Sequence, residues 1–122
     1  MTRDEYAASV CARLDQAVAV PFQPVAIAKI ADCHMNADAW VAANPNYQTV
    51  RGWVKCASFG DLGARLTAHS VVRTPEGKLL DITPLADESL RGGMHFIEHE
   101  GSERLFFAAK EGSVFIDCLT CQ

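Results

Sequence analysis

Several things are scarce in this chain, and each scarcity narrows what it can be. There is no cationic stripe: 11 Lys and Arg stand against 15 Asp and Glu, for a net charge of −4 over 122 residues. A surface that neutralises phosphates needs clustered positive charge, so nucleic acid is not the expected partner. No apolar run approaches the roughly 18 residues of a membrane span, and the opening "MTRDEYAASVCARLD" lacks the apolar centre of a signal peptide. No membrane partner and a cytoplasmic address are therefore expected. Repeats and low-complexity tracts are missing too. With 49% hydrophobic and 21% charged residues, the composition is that of one soluble globular domain spanning 1–122.

Five cysteines, an odd number, without a secretory signal make a disulfide framework an unfavoured expectation. Each thiol is then read as core, ligand or nucleophile. Cys11 lies mid-helix on a small-residue stripe and Cys56 ends a strand, so both read as core thiols. Cys33 differs, because Asp32 is placed to cap a helix running to about Ala43. A thiol in that first turn feels the positive end of the helix dipole, which favours the thiolate.

The chain reads as helices followed by a mainly antiparallel sheet. Thr2 and Glu5 have capping-box spacing, and Val10, Leu14 and Val18 continue a helical period, which predicts a helix over residues 3–19. From Thr49 the period becomes two, in "TVRGWVKC", "RLTAHSVVR", "KLLDIT", "MHFIEH", "RLFFAA" and "SVFID". Two helices packed on about five strands, an α+β domain, is the expected architecture. Arg51 and Lys55 alternate with the apolar face of their strand and read as solvent-facing.

The hairpin "LTAHSVVRTPEGKLLDITPL" is the most informative stretch. Pro75 at the first corner and Gly77 at the following left-handed position specify a three-residue loop with a bulge. That register makes Thr74 face Lys78 and pairs Val72 with Leu80. It also puts His69 and Asp81 on one face as diagonal neighbours, about 7 Å apart at Cβ. A two-residue loop would send them to opposite faces, and proline cannot supply the positive φ it needs. Cysteine at a helix start, histidine on a strand and aspartate on the next are the parts of an activated thiol nucleophile.

Residues 30 to 85 resemble the core of the papain-like and transglutaminase-like cysteine hydrolase superfamily. More narrowly, "DCHMN", "RGWV", "AHSVV", "GKLLDITP" and "FIEH" are similar to the pattern of a small, uncharacterised bacterial and phage family with Cys-x-x-Asn, a Gly-Trp strand and a His-to-Asp hairpin. The resemblance implies a minimal papain-like fold with Cys33 as nucleophile, His69 as base and Asp81 as orienting acid. No cofactor is implied. The papain-type oxyanion glutamine is absent, since Ile27 stands six residues before Cys33. The Cys33 backbone N–H, with Asn36 or His34, is the alternative donor set, and Trp53 is a candidate for lining the substrate cleft.

The expected activity is a thiol hydrolase or acyl transferase acting on an amide, peptide or ester bond of a peptide, protein or small acyl substrate. A non-catalytic peptide- or protein-binding module on the same fold is the competing expectation, and the oligomeric state is open. Two metal sites can also be drawn. "CLTCQ" supplies Cys118 and Cys121, but His95 and His99, four apart on a strand, would be roughly 13 Å apart. Cys33, His34, His69 and Asp81 share residue types with a metal site as well as with a triad.

Overall fold

The structure is a computed structural model that describes residues 1–119. It is α+β. The first helix, α1 (Arg3–Cys11), opens with the expected capping box: Thr2 Oγ1 accepts from the Glu5 backbone N–H, and the Glu5 carboxylate accepts from the Thr2 N–H. It is shorter than the 3–19 expected. After a short 3₁₀ turn at Leu14–Gln16, the chain straightens into β1 (Val18–Ala19), which joins the sheet. The β-branched Val18 is used as strand, paired with Phe96, and tertiary pairing outweighs the helical period there.

The second helix, α2 (Cys33–Ala43), has the expected bounds, and Cys33 is its first residue. Four strands and a third helix follow: β2 (Gln48–Ser58), β3 (Gly63–Arg73), β4 (Leu79–Leu80), β5 (His95–Glu98) and α3 (Glu103–Gly112), before β6 (Phe115–Leu119). The segment "RLFFAA", expected as a strand, is thus the helix α3. Ser102 caps it by accepting from the Leu105 N–H, and Phe106 and Ala109 bury one face three residues apart. A cap and an i, i+3 apolar pair override the local run of apolar residues.

The sheet order is β1-β5-β2-β3-β4, with antiparallel neighbours throughout, and β6 also pairs with β3. Both β4 and β6 use the same edge of β3, at its two ends. β6 covers Gly63 to Thr67, and β4 covers only Val72 and Arg73. His69, Ser70 and Val71 lie in the gap between them.

One core lies beneath α1 and α3, built on Tyr6, Val10, Trp53, Leu66, Phe106 and Ile116. A smaller one, of Ala37, Val72 and Ile82, seats α2 on β3. Burying a large apolar side chain contributes roughly 1.5–3 kcal/mol. A third feature corrects the expectation of free thiols. Cys11 and Cys118 form a disulfide, with Cα atoms 5.4 Å apart and a sequence separation of 107. It joins the end of α1 to β6. Cys56, expected in the core, is exposed.

Candidate functional site

The hairpin after β3 has the register its turn chemistry dictates. Thr74 N–H donates to the Lys78 carbonyl at 2.8 Å, Val72 pairs with Leu80, and Gly77 has a φ of 89°. Beyond Leu80 the chain leaves β3, and Asp81 forms a parallel bridge with Phe22. Its N–H donates to Pro21 and its carbonyl accepts from Gln23, both at 2.8 Å. The N-terminal strap thus clamps the backbone of Asp81, and the side chain is left to face the gap in the sheet.

In that gap, His69 Nε2 lies 2.7 Å from Asp81 Oδ2, with both residues buried. Asp81 Oδ1 accepts from the Thr83 N–H at 3.0 Å. Sequence reasoning missed a further partner: Arg91, from the 3₁₀ turn Glu88–Gly93, donates to Asp81 Oδ2 at 3.1 Å and to the Thr83 carbonyl at 2.9 Å. Its guanidinium stacks over Phe22, 3.9 Å from the ring centre, and pairs with Glu88. A carboxylate buried among such donors is a fixed negative charge facing the imidazole.

Asp81 occupies Nε2, which leaves Nδ1 of His69 for the half-buried Cys33 sulfur, and the two side chains interact electrostatically. The electrostatics run both ways. Burial alone would raise the Cys33 pKa, but its interactions with His34 and His69, the positive charge of His69 among them, bring it down to about 6. Burial alone would lower that of His69, but the hydrogen bond to Asp81 and the negative charges of Asp81 and Cys33 push it up to about 9. Between those values the pair is thiolate and imidazolium. Cys33, His69 and Asp81 are therefore brought together in the order that nucleophilic thiol chemistry requires.

The remaining expected site residues fall differently. Asn36 is buried, and its amide is fully used within the protein. Nδ2 donates to the Lys29 carbonyl at 2.7 Å and to Thr83 Oγ1 at 2.9 Å, while Oδ1 accepts from the Lys29 N–H at 3.0 Å. It has no proton left for an oxyanion; it staples the loop before Cys33 to the segment carrying Asp81. Trp53 is fully buried, and its Nε1 donates to the Tyr6 hydroxyl at 2.9 Å. It belongs to the core and lines no cleft. Arg51, expected to face solvent, is buried at 7% exposure.

His34 stays at the site, where it interacts electrostatically with Cys33, and its Nδ1 is hydrogen-bonded to Ser70 Oγ at 2.6 Å. At the helix start, Asp32 makes no side-chain cap bond. The N–H groups of Cys33, His34 and Met35 precede the first intrahelical bond, which runs from the Asn36 N–H to the Asp32 carbonyl at 2.8 Å, and face the N-terminal end of the helix. They are the available oxyanion donors.

The C-terminal metal alternative loses its ligands. Cys118 is in the disulfide, and Cys121 lies outside the described residues. His99 donates from Nε2 to the Ser102 carbonyl at 2.7 Å and meets the Tyr6 hydroxyl at 2.8 Å through Nδ1. Among the described residues, no cluster of three or more His, Cys, Asp or Glu side chains is arranged to hold an ion. No described helix is long and apolar enough to cross a membrane.

Compared with known proteins, the chain matches no family model, no curated protein and no solved structure.

Proposed function

We propose that the protein is a thiol hydrolase or acyl transferase that acts on an amide, peptide or ester bond through Cys33, on a minimal papain-like core. The observation that carries this reading is the buried His69–Asp81 pair, 2.7 Å apart and coupled electrostatically to a cysteine in the first turn of a helix. The Cys33 thiolate adds to the substrate carbonyl carbon, forming a C–S bond. As the tetrahedral species collapses, the bond to the leaving amine or alkoxide breaks and His69 Nδ1 gives that group its proton. Neutral His69 then takes a proton from water, or from an acceptor nucleophile, as it attacks the thioester and returns the Cys33 thiolate. Asp81, held by Arg91 and the Thr83 N–H, keeps the ring oriented and stabilises its charged form.

A second reading, a non-catalytic peptide- or protein-binding module, has one observation in its favour. An apolar groove of about 480 Å³ runs between the end of β2 and the 85–94 segment, lined by Ala57, Leu85, Leu90 and Met94. It requires nothing of Cys33.

Peptide-mapped iodoacetamide labelling against pH, in the parent and in His69→Ala, separates the two readings. A hydrolase shows Cys33 reacting near pH 6 well ahead of Cys56 and losing that lead without His69. A binding module shows the two thiols titrating alike. Trapping an acyl group on Cys33 from an activated ester, seen by mass spectrometry, then tests the covalent step. The cytoplasmic address is a separate matter, because a disulfide such as Cys11–Cys118 persists in oxidising compartments and is reduced in the cytosol. A free-thiol count on protein taken from its native compartment decides between them.

A further inference from the structure

Cys33 has a second histidine, and the groups behind it determine which of its nitrogens carries the proton. Arg51 Nη1 donates to Ser70 Oγ at 3.0 Å. Arg51 itself is fixed by both Asp38 oxygens at 2.9 Å and by Glu103 at 3.0 Å. A guanidinium only donates, so the Ser70 oxygen accepts from it. The serine hydroxyl proton then has one acceptor among its partners, Nδ1 of His34 at 2.6 Å. With Nδ1 accepting, the proton of the neutral ring sits on Nε2. The ring plane is set by edge contacts to Phe106 and Phe107 of α3, with centroids 5.8 and 6.2 Å away.

We infer that His34 is a second donor to the Cys33 sulfur, presenting Nε2–H in a tautomer fixed by Ser70 and Arg51, so that the thiolate is held from two independent sides. On one side stand His69, Asp81 and Arg91; on the other, His34, Ser70 and Arg51. His34 touches the reacting atom, and Ser70 is a positioning residue acting through it. This deepens the proposed thiol chemistry and rests on Cys33 being the nucleophile. The two histidines then play different parts, since His69 carries a mobile proton and His34 holds one in place.

The test is the pH titration of Cys33 alkylation in His34→Phe, His34→Gln and Ser70→Ala, beside His69→Ala. Phenylalanine keeps the packing on Phe106 and Phe107 and removes the donor, so the apparent pKa of Cys33 rises by about one to two units, the equivalent of one charge-assisted hydrogen bond. Glutamine can place an amide N–H near the position of Nε2 and restores most of the shift. Ser70→Ala releases the tautomer and gives a smaller rise.

An unchanged titration in His34→Phe overturns the inference while leaving the His69 result, and with it the proposed function, standing. A flat His69→Ala titration sinks the proposed function instead. Should His34→Phe not fold, long-range ¹H–¹⁵N spectra of the parent protein report the tautomer directly. A His34 protonated on Nε2 supports the assignment, and one protonated on Nδ1 overturns it.

Discussion

His69 and Asp81, twelve residues apart on either side of a bulged turn, are joined by a 2.7 Å bond between buried side chains. The bond does not come from strand pairing alone, since Asp81 has already left β3 and is clamped by Pro21 and Gln23. Replacing Asp81 with Asn keeps its shape and removes the charge that favours the imidazolium. Burial then dominates at His69 and its pKa falls, so Cys33 loses its cationic partner. The expected outcome is at least about threefold slower alkylation of Cys33 at pH 6.5, since a one-unit rise from about 6 cuts the thiolate fraction there from about three quarters to about one quarter. Unchanged labelling would remove Asp81 from the site.

The pH window follows from the two shifts. The Cys33 pKa is lowered from 9.0 to about 6, so the thiolate is present above that value and is lost as pH falls through it. The His69 pKa is raised from 6.5 to about 9, so the imidazolium is present below that value and is lost as pH rises through it. Acyl transfer, which needs both, is expected to be bell-shaped with limbs near 6 and 9. Alkylation, which needs only the thiolate, should keep the lower limb and show no fall near 9. Two profiles on one sample check this.

How much of this could be read from the chain depends on how local each cause is. The hairpin register was legible because Pro75 and Gly77 admit one turn geometry, and Cys33 because Asp32 and the Asn44–Pro45 stop bracket its helix. Arg91 was not, since its contact with Asp81 depends on a 3₁₀ turn folded back across the sheet. The burial of Arg51 was equally hidden, because Asp38, Ser70 and Glu103 come from three other elements. For α3 a signal existed: Ser102 precedes an acidic residue and an i, i+3 apolar pair, and that outranks the run "RLFF". The Cys11–Cys118 bridge spans 107 residues, and no local pattern announces such a closure.

That bridge makes its own prediction. Closing a loop of this length removes denatured-state entropy worth up to about 4–5 kcal/mol in the chain-entropy model. In a Cys33→Ser background, reducing agent or Cys118→Ser should lower the denaturation free energy by roughly 2–5 kcal/mol. The α1 contacts through Arg3 to the Ala109 and Phe115 carbonyls remain, so the fold survives. With Cys33 retained, its labelling rate should be unaffected, because the bridge joins α1 to β6, whose pairing with β3 ends at Thr67, short of His69. A urea titration in both redox states measures the first effect and peptide mapping the second.

Asn36 offers a test between a structural and a chemical role for one residue. Its three bonds tie Lys29, ahead of Cys33, to Thr83, whose N–H holds Asp81. Asn36→Ala leaves the buried Thr83 hydroxyl without its donor, at a cost of about 1–3 kcal/mol, and breaks two bonds to the backbone of the exposed Lys29, at about 0.5–1.5 kcal/mol each. The expected loss of stability, read by denaturant titration, is therefore about 2–4 kcal/mol in all. Both halves of the site loosen together, so alkylation and acyl transfer should slow in parallel. An oxyanion donor behaves otherwise: alkylation passes through no tetrahedral oxyanion, so losing such a donor slows acyl transfer and spares alkylation. Two rates on a single variant thus distinguish a staple from a catalyst, and the fully occupied amide argues for the parallel loss.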